Sequence, residues 1–388
     1  VKIALDYNAA LRQSAGIGRY TRDLVRAFLR LHADDEMVLF YAARDLPPDH
    51  WGLRGLRELQ AAFPQVRVAP IPLPERWLTI IWQRARLPIP VERWTGPVDL
   101  VHAPDFVLPP VRRAPTLLTV HDLTFRVHPE TAFANLRRYL DQAVPRSLRR
   151  ATHVLADSAS TKRDLERLMA VPASKITVLY PGVGPQFKRE TDTARLQAVR
   201  MKYVLPERFY FFIGTLEPRK NLVRLIEAYE QVLRATATTP EQVQLLLGGK
   251  PGWLSDEIVD RARRTPGVRM LGPVDDADLP VLYTLATATV YPSLYEGFGF
   301  PVLESLACGT PVVVSNTSSL PEVAGDLGVL VEPASVQSIA AGIQRLLDDP
   351  ALTQAARRHG PDQAARFSWD TAARQLRALY GTVAEHGI

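Results

Sequence analysis

Two α/β domains, each a doubly wound parallel sheet, are what this sequence predicts, and three observations carry the prediction. Short apolar runs rich in β-branched and aromatic residues alternate along the chain with longer stretches of helical period. The alternation stops once, after Gly182, in the polar and turn-rich GPQFKRETDT, and then restarts. The length of 388 residues suits two domains rather than one.

In order, the first half predicts strands at VKIALDY (1–7), MVLFYA (37–42), VRVAPI (66–71), DLVHAP (99–104), TLLTVHD (116–122), HVLADS (153–158) and ITVLYPG (176–182). Helices are expected between them, among others at 17–31 and 131–150. The second half predicts FYFFIG (209–214), VQLLLGG (243–249), VRMLGP (268–273), ATVYPS (288–293), TPVVVSN (310–316) and GVLVEP (328–333). From Ser335 onward the pattern is helical. The domains are expected at 1–185 and 208–365, with a linker at 186–207 and a C-terminal helix at 366–388 packing back toward the first domain.

With 46% hydrophobic, 8% aromatic and 23% charged residues, the composition is that of a globular chain, not a disordered or fibrous one. The longest apolar runs fall well short of the roughly 18 to 20 residues a membrane-spanning helix needs. The opening VKIALDYN has no basic leader or long apolar core and does not begin with Met; secretion is not expected and a cytoplasmic location is. The single cysteine, Cys308, cannot form an internal disulfide and has no neighbours at metal-ligand spacing. Residues 1–200 carry 30 Lys or Arg against 20 Asp or Glu, and residues 201–388 carry 17 against 21. The basic half fits an anionic partner or an Arg-rich solvated surface.

In a doubly wound sheet, ligands sit beyond the carboxyl ends of the strands. The densest motif there is YEGFGFPVLESLACGTPVV, 295–313. Pro301 suits the first turn of a helix, which puts Phe298, Gly299 and Phe300 at its N-terminus and Glu304 about one turn inside. Backbone N–H groups at such an end bind anions, and the glycines let a diphosphate approach. Glu296 sits in the loop beside it. The plain alternative is a strand-to-helix turn with Glu304 as an exposed or capping acid. The second motif is FIGTLEPRKNLVRLIEAY, 212–229, where Arg219 and Lys220 follow a buried strand. Adjacent cations there can neutralise a diphosphate leaving group. A helix start disfavours cations, which argues for a ligand over simple solvation.

These strings resemble the retaining nucleotide-sugar glycosyltransferases of family 4, the "group 1" set with the GT-B fold of two Rossmann-like domains facing a central cleft. EPRKN (217–221) and the E-x7-E string EGFGFPVLE (296–304) stand in the family's order, with LGPV and YPS between them. The resemblance implies that the second domain binds the nucleotide diphosphate sugar and the first binds the acceptor. It gives Arg219 and Lys220 the diphosphate, Glu296 the transferred sugar's hydroxyls, Glu304 the ribose, and the backbone of Gly272, Pro273 and Val274 the base. Many members have an Arg directly after the glycine of the FIG strand; Thr215 stands there in this chain, so Arg219 carries more of the phosphate charge. In SAGIGRY (14–20), Gly16 and Gly18 offer backbone N–H groups to the diphosphate. In TVHDLTF (119–125), the family places a histidine near the sugar, which makes His121 a catalytic candidate and Asp122 an acceptor-side one.

Retention without an evident carboxylate nucleophile implies front-face transfer, in which the departing diphosphate takes the acceptor's proton. No cofactor or metal is expected, because DDADL (275–279) reads as a helix cap through Asp275 or Asp276 rather than as a D-x-D metal motif. The acceptor expected is a glycan or a lipid-linked saccharide. ERWLTIIWQRARLPIPVERW (75–94) mixes tryptophans with arginines, which suits either peripheral contact with an anionic membrane or inward packing of Trp77, Leu78, Ile80 and Ile81 under solvated arginines. The GTLEPRKNL wording resembles mannosyl- and rhamnosyltransferases of polysaccharide assembly, which makes GDP-mannose the first donor expected and UDP-, ADP- or TDP-sugars the alternatives. Rival readings are a same-fold epimerase or synthase, an inactive homologue, and an anionic-polymer binder; nucleic acid is not expected, since it leaves the Glu296–Glu304 string unexplained.

Overall fold

The computed structural model describes residues 1–14 and 16–386. The chain divides into two compact units: Val1–Leu123 with Asn135–Gly182 and the segment from Ser368, and Val183–Phe367 with Thr124–Ala134.

The first unit holds seven parallel strands, β1 (Lys2–Asp6), β2 (Glu36–Ala42), β3 (Val66–Ile71), β4 (Leu100–Ala103), β5 (Thr116–Val120), β6 (His153–Ala156) and β7 (Ile176–Val178), in the order β3-β2-β1-β4-β5-β6-β7. The second holds β8 (Phe209–Ile213), β9 (Gln244–Gly248), β10 (Val268–Gly272), β11 (Ala288–Tyr291), β12 (Val312–Ser315) and β13 (Gly328–Val331), in the order β10-β9-β8-β11-β12-β13. All thirteen predicted strands are present, each ending at or before its predicted end. The central strands β4, β5, β6, β11 and β12 are buried at every residue. This is why they read as continuous apolar runs rather than alternating ones. In both sheets the chain steps outward through three strands and then returns to the other side of the first of them, giving a switch point between β1 and β4 and another between β8 and β11.

The C-terminal helix Trp369–His386 is part of the first unit. Tyr380, fully buried, bonds through its hydroxyl with His102 Nδ1 at 2.7 Å, and His102 Nε2 meets Thr119 Oγ1 at 2.9 Å. Burial pushes the His102 pKa down to about 3, so the ring stays neutral and both its nitrogens are satisfied in the sheet's core. Arg377 pairs with Asp35, and Arg30 with Asp370.

Three local expectations change. The stretch 186–207, expected as a linker, folds with the second unit and contains the helix Thr193–Lys202; its cap, Asp192, accepts from the amides of Ala194 and Arg195. Neither Asp275 nor Asp276 caps the following helix, Leu279–Leu285, whose N-cap position is Asp278. Lys202 instead holds Asp275 at 2.5 Å and Asp278 at 2.6 Å, because the 193–202 helix brings a cation to that turn. The helix expected at 131–150 runs Ala134–Arg150, and residues 124–134 belong to the second unit, where Trp253 Nε1 donates to the carbonyl of Thr131 at 2.6 Å.

Candidate active site

At the switch point of the second sheet, β8 ends at Ile213 and the chain turns through Glu217 into a single 3-10 turn, Pro218–Lys220. The neighbouring β11 ends at Tyr291, and its loop carries Glu296. Adjacent strand ends therefore bring residues 76 positions apart into contact. Lys220 Nζ donates to Glu296 Oε1 at 2.6 Å and to the Tyr291 hydroxyl at 3.0 Å. The Arg219 guanidinium spans two carboxylates, with Nη1 on Glu296 Oε2 at 2.8 Å and Nη2 on Glu217 Oε1 at 2.5 Å; Nη1 also reaches the Tyr295 carbonyl at 2.8 Å. Burial works against the Glu296 charge, but Arg219 and then Lys220 hold its pKa at about 2. Burial, followed by the Arg219 charge, presses the Lys220 pKa below its ordinary value.

The loop is braced from several sides. Asn221 Nδ2 donates to the carbonyls of Pro292 and Pro333, and Leu294 N donates to the Arg219 carbonyl. Ser318 Oγ accepts from the Glu296 amide, while Ser319 Oγ donates toward the Glu296 and Phe298 carbonyls. Sequence reasoning passed over Glu217, Tyr291, Asn221, Ser318 and Ser319. Their signal was position alone: each lies at or just past a strand end of the same sheet.

Beyond Glu296 the chain enters the helix Phe300–Ala307 through Gly299, whose φ of +115° favours glycine. Pro301 occupies the first turn. Phe298 packs its ring on Phe300 and Phe367, so this residue can meet a ligand only through its backbone. Glu304 is 2% exposed and accepts from the Tyr283 hydroxyl at 2.8 Å. That burial rules out the exposed or capping acid. Gly272, Pro273 and Val274 stand together at the end of edge strand β10, with open space beside the Gly272 Cα and Pro273 exposed.

The first sheet's switch point has different chemistry. Asp6 ends β1, and Asp105 follows β4 by two residues; both are half-buried. Asp6 accepts from the backbone and side-chain nitrogens of Asn8. Burial pushes the Asp6 pKa up to about 7 and that of Asp105 to about 6. One and two strands along, His121 follows β5 and Asp157 follows β6. His121 Nδ1 lies 2.6 Å from Asp157 Oδ2, and Nε2 lies 2.7 Å from the Pro104 carbonyl. A carbonyl and a carboxylate both need donors, so the ring carries two protons. Burial opposes that charge, but Asp157 raises the pKa to about 9. His121 can thus supply charge and position to its surroundings but no lone pair. Asp122 is half-buried beside it.

The two glycines of the 14–20 motif part company. Gly16 is the N-cap of the helix Ile17–Leu31, with φ +56° and open space around it. Gly18 is inside that helix, and a Cβ there would lie 2.0 Å from the Gln13 carbonyl oxygen. Close backbone packing therefore requires glycine at this position. Ala15, within the same motif, lies outside the described residues.

Among the described residues, no three His, Cys, Asp or Glu side chains form a group able to hold a metal ion, and no helix is long and apolar enough to cross a membrane.

Comparison with known proteins adds three findings. A family model described as "Glycosyl transferases group 1" matches residues 200–364, and one described as "Glycosyltransferase Family 4" matches residues 14–187. The O-antigen chain mannosyltransferase B of Escherichia coli is 36% identical over 72% of this chain and 74% of its own length. The serotype-specific mannosyltransferase WbdA of the same organism is 31% identical over 57% of this chain, and the match spans 27% of WbdA. In fold, the chain is similar to Anabaena HepE, solved with UDP and glucose (TM-score 0.72, 20% identity, 98% of this chain and 99% of that one). It is likewise similar to the sucrose-phosphate synthase of Thermosynechococcus elongatus (TM-score 0.72, 22% identity, 98% of each).

Proposed function

We propose, from the premise that the chain belongs to the group 1 glycosyltransferases, that it moves mannose from GDP-mannose to a saccharide or lipid-linked acceptor with retention of configuration. The observation that carries the reading is the cluster of Arg219, Lys220 and Glu296 at the second sheet's switch point, next in sequence to the helix that begins at Phe300. The two mannosyltransferase relatives support mannose. The UDP and glucose bound by HepE make uridine the alternative donor base.

In this mechanism the donor's diphosphate takes over Arg219 and Lys220, and the amides at the start of the 300–307 helix receive its oxygens. Glu296, displaced from its cations, turns to the hydroxyls of the sugar. Glu304 receives the ribose, and the end of β10 at Gly272–Val274 the base. As the glycosidic bond breaks, negative charge grows on the leaving diphosphate, and the fixed cations stabilise it more than they stabilise the ground state. The diphosphate takes the acceptor's proton on the same face. No side-chain base is needed, which agrees with His121 having both ring nitrogens engaged. The reaction is proposed to need no metal and no cofactor.

The acceptor side is assigned to the first unit. Asp6 and Asp105 are half-buried carboxylates with no ion-pair partner among the described residues, a chemistry that receives sugar hydroxyls; Asp122 lies one residue past His121. The 75–94 segment splits between its two readings. Leu78 and Trp82 join the apolar core with Ile81 and Trp94 against them, whereas Trp77 (47%), Ile80 (36%) and Leu87 (46%) are exposed among the exposed Arg76, Arg84 and Arg86. That outer face suits a peripheral contact with anionic lipid.

The test is a thermal-shift screen of the protein against GDP, UDP, ADP and TDP and their common sugars, with and without a chelator. Selective stabilisation by GDP and GDP-mannose, unchanged by chelator, is expected, since a ligand of the native state raises stability by mass action. Selectivity for another nucleotide would replace the donor. A response to none of them would leave an inactive homologue or an anionic-polymer binder.

A further inference from the structure

We infer that Glu217 is a positioning residue for transfer: it holds the Arg219 guanidinium aimed at the diphosphate when Glu296 leaves it. The inference deepens the donor-site reading above and rests on it.

Two cations, Arg219 and Lys220, face two carboxylates, Glu217 and Glu296. The carboxylates are not equivalent. Glu296 bridges both cations with one oxygen each and belongs to the loop after β11, so a diphosphate that competes for both cations displaces it. Glu217 touches Arg219 alone, through Oε1, from the same turn as Arg219 itself. It is 1% exposed, and its second oxygen has no hydrogen-bond partner among the described residues. A buried carboxylate with an oxygen left unsatisfied is costly, and packing gives no reason for an acid there. The cost has a return only if the charge acts on Arg219. Once Glu296 has moved, Glu217 and the Tyr295 carbonyl are the partners named here that still grip the guanidinium.

A second consequence reaches Lys220. The groups that face it are Arg219 from its own turn, Glu217 before that turn, Glu296 from the loop after β11, and Tyr291 from β11 itself. Burial and then Arg219 lower its pKa, while Glu296 and Glu217 raise it. Removing the Glu217 charge therefore lowers the pKa further, and a deprotonated lysine can no longer neutralise the leaving group.

The experiment compares Glu217→Gln and Glu217→Asp with the wild type in transfer of mannose from GDP-mannose to water, or from whichever nucleotide sugar the wild type binds, across pH. For Glu217→Gln, kcat is expected to fall about 10- to 100-fold, the range for loss of a charge-assisted hydrogen bond. The donor KM is expected to stay within about threefold, since the lost grip acts mainly as charge develops on the leaving group and Lys220 still holds the ground state. The alkaline limb of kcat is expected to move to lower pH. Glu217→Asp keeps the charge but withdraws it by one methylene, so it should lose kcat while leaving the alkaline limb nearer the wild type's. A folded variant with wild-type kcat and an unmoved limb would overturn the inference. So would failure of both variants to fold, which would make Glu217 a support of the loop and nothing more. A wild type that neither binds nucleotide nor turns over refutes the donor-site reading instead.

Discussion

The two sheets have the same strand order about their switch points, yet what the chain hangs on those points is opposite in charge. Beyond β8 and β11 stand Arg219 and Lys220, buried or half-buried, each paired with Glu296. At the end of β1 stands Asp6 and beyond β4 stands Asp105, both half-buried, with pKa values pushed up by burial. The doubly wound topology supplies a crevice in both cases; it does not decide the ligand. One crevice offers cations held ready by carboxylates, as a diphosphate requires. The other offers carboxylates poised near neutrality, which can accept from a hydroxyl when charged and donate to one when protonated.

The sharpest way to break this contrast is to remove the buried lysine. Lys220→Ala is expected to lower kcat by about 100- to 1,000-fold, the loss typical of one group that stabilises developing charge, with the fold retained because Arg219 still neutralises Glu296. Steady-state rates and a thermal melt together check it. Near-normal turnover would mean that the cations of the second switch point do not serve the leaving group.

The next largest effect tests the acidic side. Burial, opposed by His121 and reinforced by Glu75, puts the Asp105 pKa at about 6, so the wild type should lose acceptor kcat/KM as pH falls through that value. Asp105→Asn is expected to cost about tenfold in acceptor kcat/KM at pH 8, the worth of a hydrogen bond to a charged group, and to remove the inflection, leaving donor KM unchanged. The stability sign is fixed by linkage. A carboxyl whose folded pKa is raised binds its proton more tightly when folded, so it costs stability as pH rises from about 4 to 6 and throughout above that. The Asn variant should therefore melt higher than wild type at pH 7 and equally at pH 3.5. An unchanged acceptor profile would remove Asp105 from the acceptor site.

The contrast also marks how far the sequence could be read. Every strand was legible, because parallel strands buried on both faces leave short apolar runs that little else produces. Arg219, Lys220, Glu296 and Glu304 were legible because glycines and a proline flank them in a turn geometry. Their mutual ion pairs were not, since contact across 76 residues depends on β8 and β11 being neighbours, which local pattern does not state. Asp6 and Asp105 are single acids at strand ends with nothing distinctive around them. Gly18 reads as a ligand glycine in the sequence, while the structure adds a packing demand for it that the sequence did not show, since the same residue can meet both. Residues 124–134 carry no mark of belonging with the second unit; that is decided by long-range contacts such as Trp253 with Thr131.

The smallest expected effect concerns the outer face of the first unit, where the comparison extends from the crevices to the surface. The basic balance of residues 1–200 is not spent at the first crevice, which is acidic; part of it lies on the exposed Arg76, Arg84 and Arg86 around Trp77 and Ile80. If that face meets anionic lipid, Trp77→Ser should weaken binding to vesicles containing phosphatidylglycerol by about three- to tenfold, the worth of one partly inserted aromatic at roughly 25 cal/mol per Å². Arg84→Gln should weaken it by a similar factor, about fivefold, at low salt and far less at high salt, since one basic residue contributes about 1 kcal/mol through a screened field. Neither change should alter the donor KM, because both act far along the sequence and in the other unit from Lys220. Sedimentation with vesicles of neutral and anionic composition decides it. Equal binding to both compositions would leave the arginines as ordinary solvated charges and confine the role of the first unit to its acidic crevice.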